Sequence, residues 1–228
     1  MSYRILLFDL DDTLLDFSAN EADSLNKLFL MHGYTLSDKL FSKYNLVNKQ
    51  LWADYEDGKI LLTDVLNSRF SETMLKLGEV VDGVLWENQY RELLGNGCQL
   101  IEGALEICQS LSTYNRLFVI TNGVAKTQIK RLKQSGLYDF FENIFDSESI
   151  GFQKPSKQFF DYVMSHIEDF NIKETLIIGD SLNTDIKGGL QSGIDTCWIN
   201  RKSQKNTLKI QSTYTVTSLS ELLKICKN

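Results

Sequence analysis

Short apolar runs alternating with helical patterns predict an α/β fold, a doubly wound parallel sheet interrupted near its start by an all-helical insertion. Two observations carry the sheet. The runs are too short for buried helices and stop at polar residues, and the patterns between them have helical spacing. A third carries the insertion: residues 17–97 hold helical stripes but no comparable strand run.

Taken in order, Ile5–Leu6–Leu7–Phe8 stops at Asp9 and reads as a strand buried on both faces. Leu25, Leu28 and Phe29 then form one helical stripe. Leu62, Val65, Leu66 and Phe70 form a second, and Trp86, Tyr90, Leu93 and Leu94 a third. Turn signals at Asp57–Gly58 and Gly95–Asn96–Gly97 punctuate this region. The α/β rhythm resumes with a helix over Ala104–Leu111 and a strand over Leu117–Ile120, stopped by Thr121–Asn122–Gly123. Helices over Thr127–Gln134 and Gln158–Ile167 lead to a strand over Leu176–Ile178, stopped by Gly179–Asp180–Ser181. A helix over Asp185–Ser192 and a weaker strand over Thr196–Ile199 follow. Right-handed crossovers between such units give a sheet covered on both faces. The expected domains are 1–16 with 98–228 as the α/β core and 17–97 as a helical domain.

The composition narrows the function classes. With 228 residues, 43% hydrophobic and 24% charged, the chain resembles ordinary soluble globular proteins. Its net charge of −6 argues against a nucleic-acid polymer as partner, which needs a basic face. No stretch approaches the roughly 20 apolar residues of a membrane span, and the first residues lack a secretory apolar region. Cys98, Cys108, Cys197 and Cys226 have neither CxxC nor knuckle spacing, so reduced thiols and a cytoplasmic location are expected. Neither GxxxxGK nor GxGxxG occurs, so P-loop and dinucleotide readings fail.

The chemistry lies where the strand runs stop. Asp9 and Asp11, two apart in extended chain, point to one side and repel unless a cation or a proton intervenes. Ligands of open α/β sheets bind outside the carboxyl ends of the strands, so Asp9, Asp11, Thr121, Asn122 and Asp180 should line one crevice. Oxygen ligands from carboxylates suit Mg²⁺ sharing a substrate phosphate. A carboxylate nucleophile, an acid/base partner and positive groups for phosphoryl oxygens complete a phosphoryl-transfer site.

Four segments in order resemble the motifs of the haloacid dehalogenase superfamily: Asp9-Leu-Asp-Asp-Thr13, Ile120-Thr-Asn-Gly123, Lys154-Pro155 and Gly179-Asp-Ser-Leu-Asn-Thr-Asp185. The resemblance implies a Rossmann-like core, with Asp9 as nucleophile and Asp11 as general acid/base. It gives Thr121 and the Asn122 amide to the phosphoryl group, and Lys154 to the charge between Asp9 and phosphate. Mg²⁺ is then held by Asp9, Asp180 and the Asp11 carbonyl, with Asp185 supporting the metal or orienting Lys154. Pro155, the only proline, fixes the chain beside Lys154 and favours extended backbone there. Dehalogenases lack the second Asp, so Asp11 argues for phosphoryl transfer, and the DKTGT motif of ion pumps is absent.

The insertion resembles the helical cap of the first cap type, which in such proteins closes over the crevice and reads the leaving group. Leu51-Trp52, Asp57-Gly-Lys59, Asn67-Ser-Arg69-Phe70, Thr121-Asn-Gly-Val124 and Gly151-Phe-Gln-Lys-Pro155 are similar to the bacterial pyrimidine 5′-nucleotidase subgroup. A nucleoside monophosphate is therefore the expected small phosphorylated partner. Phe17, Trp52 and Arg69 are substrate candidates, against core packing for the aromatics and a surface ion pair for Arg69. A sugar-phosphate phosphatase or phosphomutase and a non-catalytic scaffold are the competing readings. The sequence specifies neither a base preference nor an oligomeric state.

Overall fold

The computed structural model describes residues 3–226. Its elements run β1 (Ile5–Phe8), α1 (Phe17–Met31), α2 (Asp38–Glu56), α3 (Leu62–Leu75), α4 (Gly83–Leu94), α5 (Ala104–Leu111), β2 (Arg116–Thr121), α6 (Ala125–Ser135), β3 (Asn143–Asp146), α7 (Ser147–Ile150) and α8 (Lys157–Ser165). They continue with β4 (Thr175–Gly179), α9 (Lys187–Gln191), β5 (Asp195–Ile199), β6 (Tyr214–Val216) and α10 (Leu222–Cys226). The chain divides into two compact units, residues 1–17 with 98–228 and residues 18–97.

In the first unit six parallel strands lie in the order β3-β2-β1-β4-β5-β6. The pleat of β1 sends alternate residues to opposite faces. Leu6 and Phe8 join a core with Ile107 and Leu111 of α5, Leu132 of α6 and Leu222 of α10. Ile5 and Leu7 join another with Phe159, Phe160 and Val163 of α8. Both faces are thus covered, and burying each such side chain is worth about 1.5–3 kcal/mol. This is the doubly wound α/β arrangement expected from the sequence.

Two strands escaped that expectation. β3 (Asn-Ile-Phe-Asp) and β6 (Tyr-Thr-Val) are the two edges of the sheet and keep exposed polar positions, so neither forms an apolar run. The helix expected from Asp185 to Ser192 also differs. It begins with a π turn over Leu182–Ile186, capped by the Ser181 side chain, which accepts from the Thr184 amide at 3.2 Å. Asp185 therefore does not cap the helix, and its carboxylate is directed elsewhere.

The second unit packs α2 against α3 and α3 against α4. Leu25, Leu28 and Phe29 are fully buried, as are Val65, Phe70 and Tyr90, so the three stripes form core. α2, the longest helix, has no such stripe because its buried face mixes Leu40 and Val47 with Tyr44, Asn48 and Tyr55. Its start is capped by Ser37, and that of α4 by Asp82, whose side chains accept amides one turn on. No helix among the described residues is long and apolar enough to cross a membrane.

Candidate active site

β1, β2 and β4 lie side by side in register, with Phe8 level with Val119 and Ile178. The three strands end within two residues of this level, at Phe8, Thr121 and Gly179, so the segments that follow leave the sheet at the same edge. The chain leaves β1 at Phe8 and turns from Asp12. Asp12 has a positive φ of 58°, and its amide donates to the Leu15 carbonyl at 2.8 Å. Asp9 and Asp11 both precede this turn, and the Asp9 amide still bonds the Ile178 carbonyl of β4 at 2.8 Å, but the two carboxylates have different partners.

Asp9 accepts from Lys154 Nζ at 2.8 Å through Oδ1 and from the Thr13 hydroxyl at 3.2 Å through Oδ2. The Lys154 ammonium, 2% exposed, spends its remaining donors on Asp185 Oδ1 at 2.7 Å and the Ile120 carbonyl at 2.9 Å. All three ammonium hydrogens are therefore matched, which is what a buried lysine needs. The loop that delivers it is tied down by the Asn122 side chain. Asn122 donates to the Lys154 carbonyl at 2.9 Å and accepts from the Lys154 amide at 2.8 Å. Pro155 occupies a turn closed by the Ser156 amide on the Gln153 carbonyl at 2.8 Å, with a cis Lys154–Pro155 bond. The chain beside Lys154 is consequently turned, where the proline alone suggested extended backbone.

Asp180 follows β4, and its carbonyl accepts from the Trp198 indole of β5 at 2.8 Å. Asp185 returns from the π turn: its Oδ2 accepts from the Ser181 amide at 3.1 Å while Oδ1 holds Lys154. Gly179 makes this return possible, because a Cβ there would lie 2.2 Å from Asp185 Oδ2. Beside Asp180 an open cleft is lined by Asp12, Ile199, Asn200, Arg201, Lys202 and Gln204.

Carboxylate oxygens of Asp9, Asp180 and Asp185 lie within 4.8 Å of one another. Burial first, with the charges of Asp185 and Asp11 and against the pull of Lys154, pushes the Asp9 carboxyl up to about 7. Asp180 is held well above the carboxylate range by burial first and the Asp9 and Asp185 charges next. For Lys154 burial opposes the charged form, but Asp185 and Asp9 outweigh it and keep its pKa above the ordinary value. Both Asp185 oxygens are spent on donors, whereas the Asp180 carboxylate has no hydrogen-bond donor among the described residues. A divalent cation between Asp9 and Asp180 would relieve that repulsion, and the oxygen-only donor set fits Mg²⁺.

Asp11 meets α6. Its Oδ1 is ion-paired with Arg131 Nη1, and its Oδ2 accepts from Gln128 Nε2 at 2.7 Å. Gln128 Nε2 also reaches the Thr121 hydroxyl at 3.1 Å. Sequence reading missed Gln128, Arg131 and the supporting bond from Thr13. The available signal was a pair of large polar residues at i and i+3 on a helix face that also carries the buried Leu132.

The structure therefore gathers Asp9, Asp11, Thr121, Asn122, Lys154, Asp180 and Asp185 within the α/β unit. Phe17 belongs to the same unit, with the Arg131 guanidinium 5.6 Å from its ring centre. Trp52 and Arg69 lie in the helical unit. Trp52 is half-buried with its ring edge-on to Tyr55 at 5.8 Å. Arg69 is 3% exposed and bonds both oxygens of Glu87, at 2.7 and 2.6 Å, so its ion pair is buried and structural and not on the surface.

Residues 3–193 match the family model for haloacid dehalogenase-like hydrolases. The HAD-hydrolase YfnB of Bacillus subtilis is 46% identical over 98% of this chain and 95% of its own. Its magnesium-bound crystal structure superposes with a TM-score of 0.95, covering 100% of both chains at 45% identity. Pyrimidine 5′-nucleotidase PynA of Streptococcus pneumoniae is 39% identical over 98% of this chain and 94% of its own. Pyrimidine 5′-nucleotidase YjjG of Escherichia coli is 32% identical over 100% of both.

Proposed function

The chain belongs to the haloacid dehalogenase-like hydrolases, and on that premise we propose that it is a Mg²⁺-dependent phosphatase of pyrimidine nucleoside 5′-monophosphates. The observation that carries the chemistry is the pairing of Asp9 with Lys154 at 2.8 Å, beside Asp180 and with Asp11 two residues on. The substrate class is supported by the likeness to PynA and YjjG across the whole chain.

In this reading an Asp9 carboxylate oxygen attacks phosphorus. The bond from phosphorus to the ester oxygen breaks, and the leaving alkoxide takes the proton of the Asp11 carboxyl. Water then attacks the phosphorus of the Asp9 acyl phosphate and passes a proton to the Asp11 carboxylate. The bond from phosphorus to Asp9 breaks, and inorganic phosphate leaves. Lys154 holds the attacking carboxylate in place and balances charge on the phosphorylated form. Thr121 and the Asn122 amide contact the phosphoryl oxygens. Asp9, Asp180 and the Asp11 carbonyl would hold Mg²⁺, which when bound neutralises phosphoryl charge and orients the ester for in-line attack. Asp185 acts through Lys154, fixing where its ammonium points.

Phosphate release from a panel of nucleotides, sugar phosphates and other monoesters tests this reading. We expect preference for UMP- or dTMP-like esters, loss of release with EDTA, and recovery with Mg²⁺. Asp9→Asn should lower turnover by about 10³-fold or more while the unfolding transition persists. Retained turnover would remove Asp9 as nucleophile, and activity on sugar phosphates alone would replace the substrate while keeping the chemistry.

A further inference from the structure

α6 carries a buried polar pair whose function the reaction scheme leaves unassigned. Arg131 is 1% exposed and Gln128 2%, although both are large polar groups one turn apart on the same helix. Buried polar groups need hydrogen-bond partners, and the partners of Arg131 Nη1 and of the Gln128 amide converge on the reaction site. Arg131 Nη1 pairs with Asp11 Oδ1 and donates to Gln128 Oε1 at 2.9 Å. The Gln128 amide nitrogen then divides its two hydrogens between Asp11 Oδ2 at 2.7 Å and Thr121 Oγ1 at 3.1 Å. Both Asp11 oxygens are therefore aimed by α6, through groups that cannot swing independently.

The Thr121 hydroxyl has one hydrogen and two lone pairs. Its lone pairs accept from Gln128 Nε2 and from the Gly123 amide at 3.0 Å. Its hydrogen is left to donate. The chain makes room for this arrangement: a Cβ on Gly123 would sit 2.2 Å from Gln128 Nε2. The Arg131 guanidinium is backed by the Phe17 ring, so its plane is set by packing as well as by its partners.

We infer that Gln128 and Arg131 are positioning residues for the reaction, holding Asp11 in line for proton transfer and turning the Thr121 hydroxyl into a donor to the phosphoryl group. This role rests on the phosphatase reading. Neither residue touches the ester. Arg131 acts on the leaving-group side through Asp11, and Gln128 acts on both sides at once. Asp11 gives up its proton as the alkoxide departs, and the charge it acquires then faces the guanidinium at an already fixed separation.

A residue acting through Asp11 must matter most where the leaving group needs a proton. The experiment compares UMP, whose leaving alkoxide must be protonated, with p-nitrophenyl phosphate, whose phenolate departs without help. Asp11→Asn supplies the reference split with Mg²⁺ present. Arg131→Met and Gln128→Met are expected to lower kcat on UMP by on the order of 10², with less than about a tenfold loss on p-nitrophenyl phosphate. KM for UMP should stay nearly constant in Arg131→Met and rise in Gln128→Met, which also disturbs Thr121. Arg131→Lys should recover part of the UMP rate.

Equal losses on both esters in the two Met variants would make the pair a structural feature only and overturn the inference. So would unchanged UMP turnover. If Arg131→Met does not fold, the split in Gln128→Met, a neutral replacement of similar volume, decides alone. A wild-type protein that releases no phosphate from either ester would instead overturn the phosphatase reading beneath it.

Discussion

At the scale of single residues, burial decides which polar groups do chemistry and which are silenced. Lys154 is kept charged inside the protein because two carboxylates and a carbonyl take its three hydrogens. The cysteines show the opposite outcome. All four are free thiols, and Cys108, Cys197 and Cys226 are buried. Burial pushes the thiols of Cys108 and Cys226 up to about 12 and raises Cys197 as well. Since the thiolate is the reacting form, a raised pKa lowers the reactive fraction at neutral pH. A thiol reagent at neutral pH should therefore modify Cys98, which is half-buried, and spare the other three until the chain is unfolded. Rapid modification of two or more thiols in the native protein would contradict this.

At the scale of elements, the helical unit depends on a charge pair that no stripe of leucines announces. Arg69 on α3 and Glu87 on α4 are both nearly inaccessible, and the guanidinium also lies 4.6 Å over the Tyr90 ring. Tyr44 and Asn48 of α2 accept its Nη1 at 3.4 Å, so one side chain links three helices. Removing one partner of such a pair strands a buried charge and costs about 3–5 kcal/mol, whereas apolar replacement of both is often neutral. Arg69→Met should accordingly lower the thermal unfolding temperature sharply, and the double variant Arg69→Met/Glu87→Leu should regain most of the loss. Equal behaviour of single and double variants would show that the pair is not what holds these helices. Within the α/β unit, Gly179 at the end of β4 plays a comparable part, since any side chain there would displace Asp185 and, through it, Lys154.

At the scale of the whole molecule, the α/β unit closes its own sheet and both of its cores from residues outside 18–97. The chain leaves and re-enters it at adjacent points. The Asp16 amide donates to the Gln99 carbonyl at 2.9 Å, and Leu15 bridges Leu100. Joining residue 17 to residue 98 through a short glycine-serine linker should therefore leave a folded core. Its far-ultraviolet dichroism should fit a mixed α/β protein and its thermal transition should stay cooperative. A noncooperative melt would mean that the core needs the helical unit in order to fold.

How much of this was legible in the sequence depends on the range of the interaction. Strands β1, β2 and β4 were readable because central strands buried on both faces carry apolar runs, and β5, with Asp195 and Thr196 at its start, gave only a weaker one. The polar ends at Asp9, Thr121 and Asp180 followed from where those runs stop. The edge strands β3 and β6 were not readable, since an edge keeps polar residues and loses the pattern. The four motifs by themselves determined the family and the residues that gather at the site. Only the tertiary structure decided what those residues bond to: Lys154 shared between Asp9 and Asp185, and Asp11 aimed by Gln128 and Arg131 from more than a hundred residues away. The reason is physical. Local pattern reports whether a side chain is buried, while its partner is chosen by the packing of distant segments that no window of sequence contains.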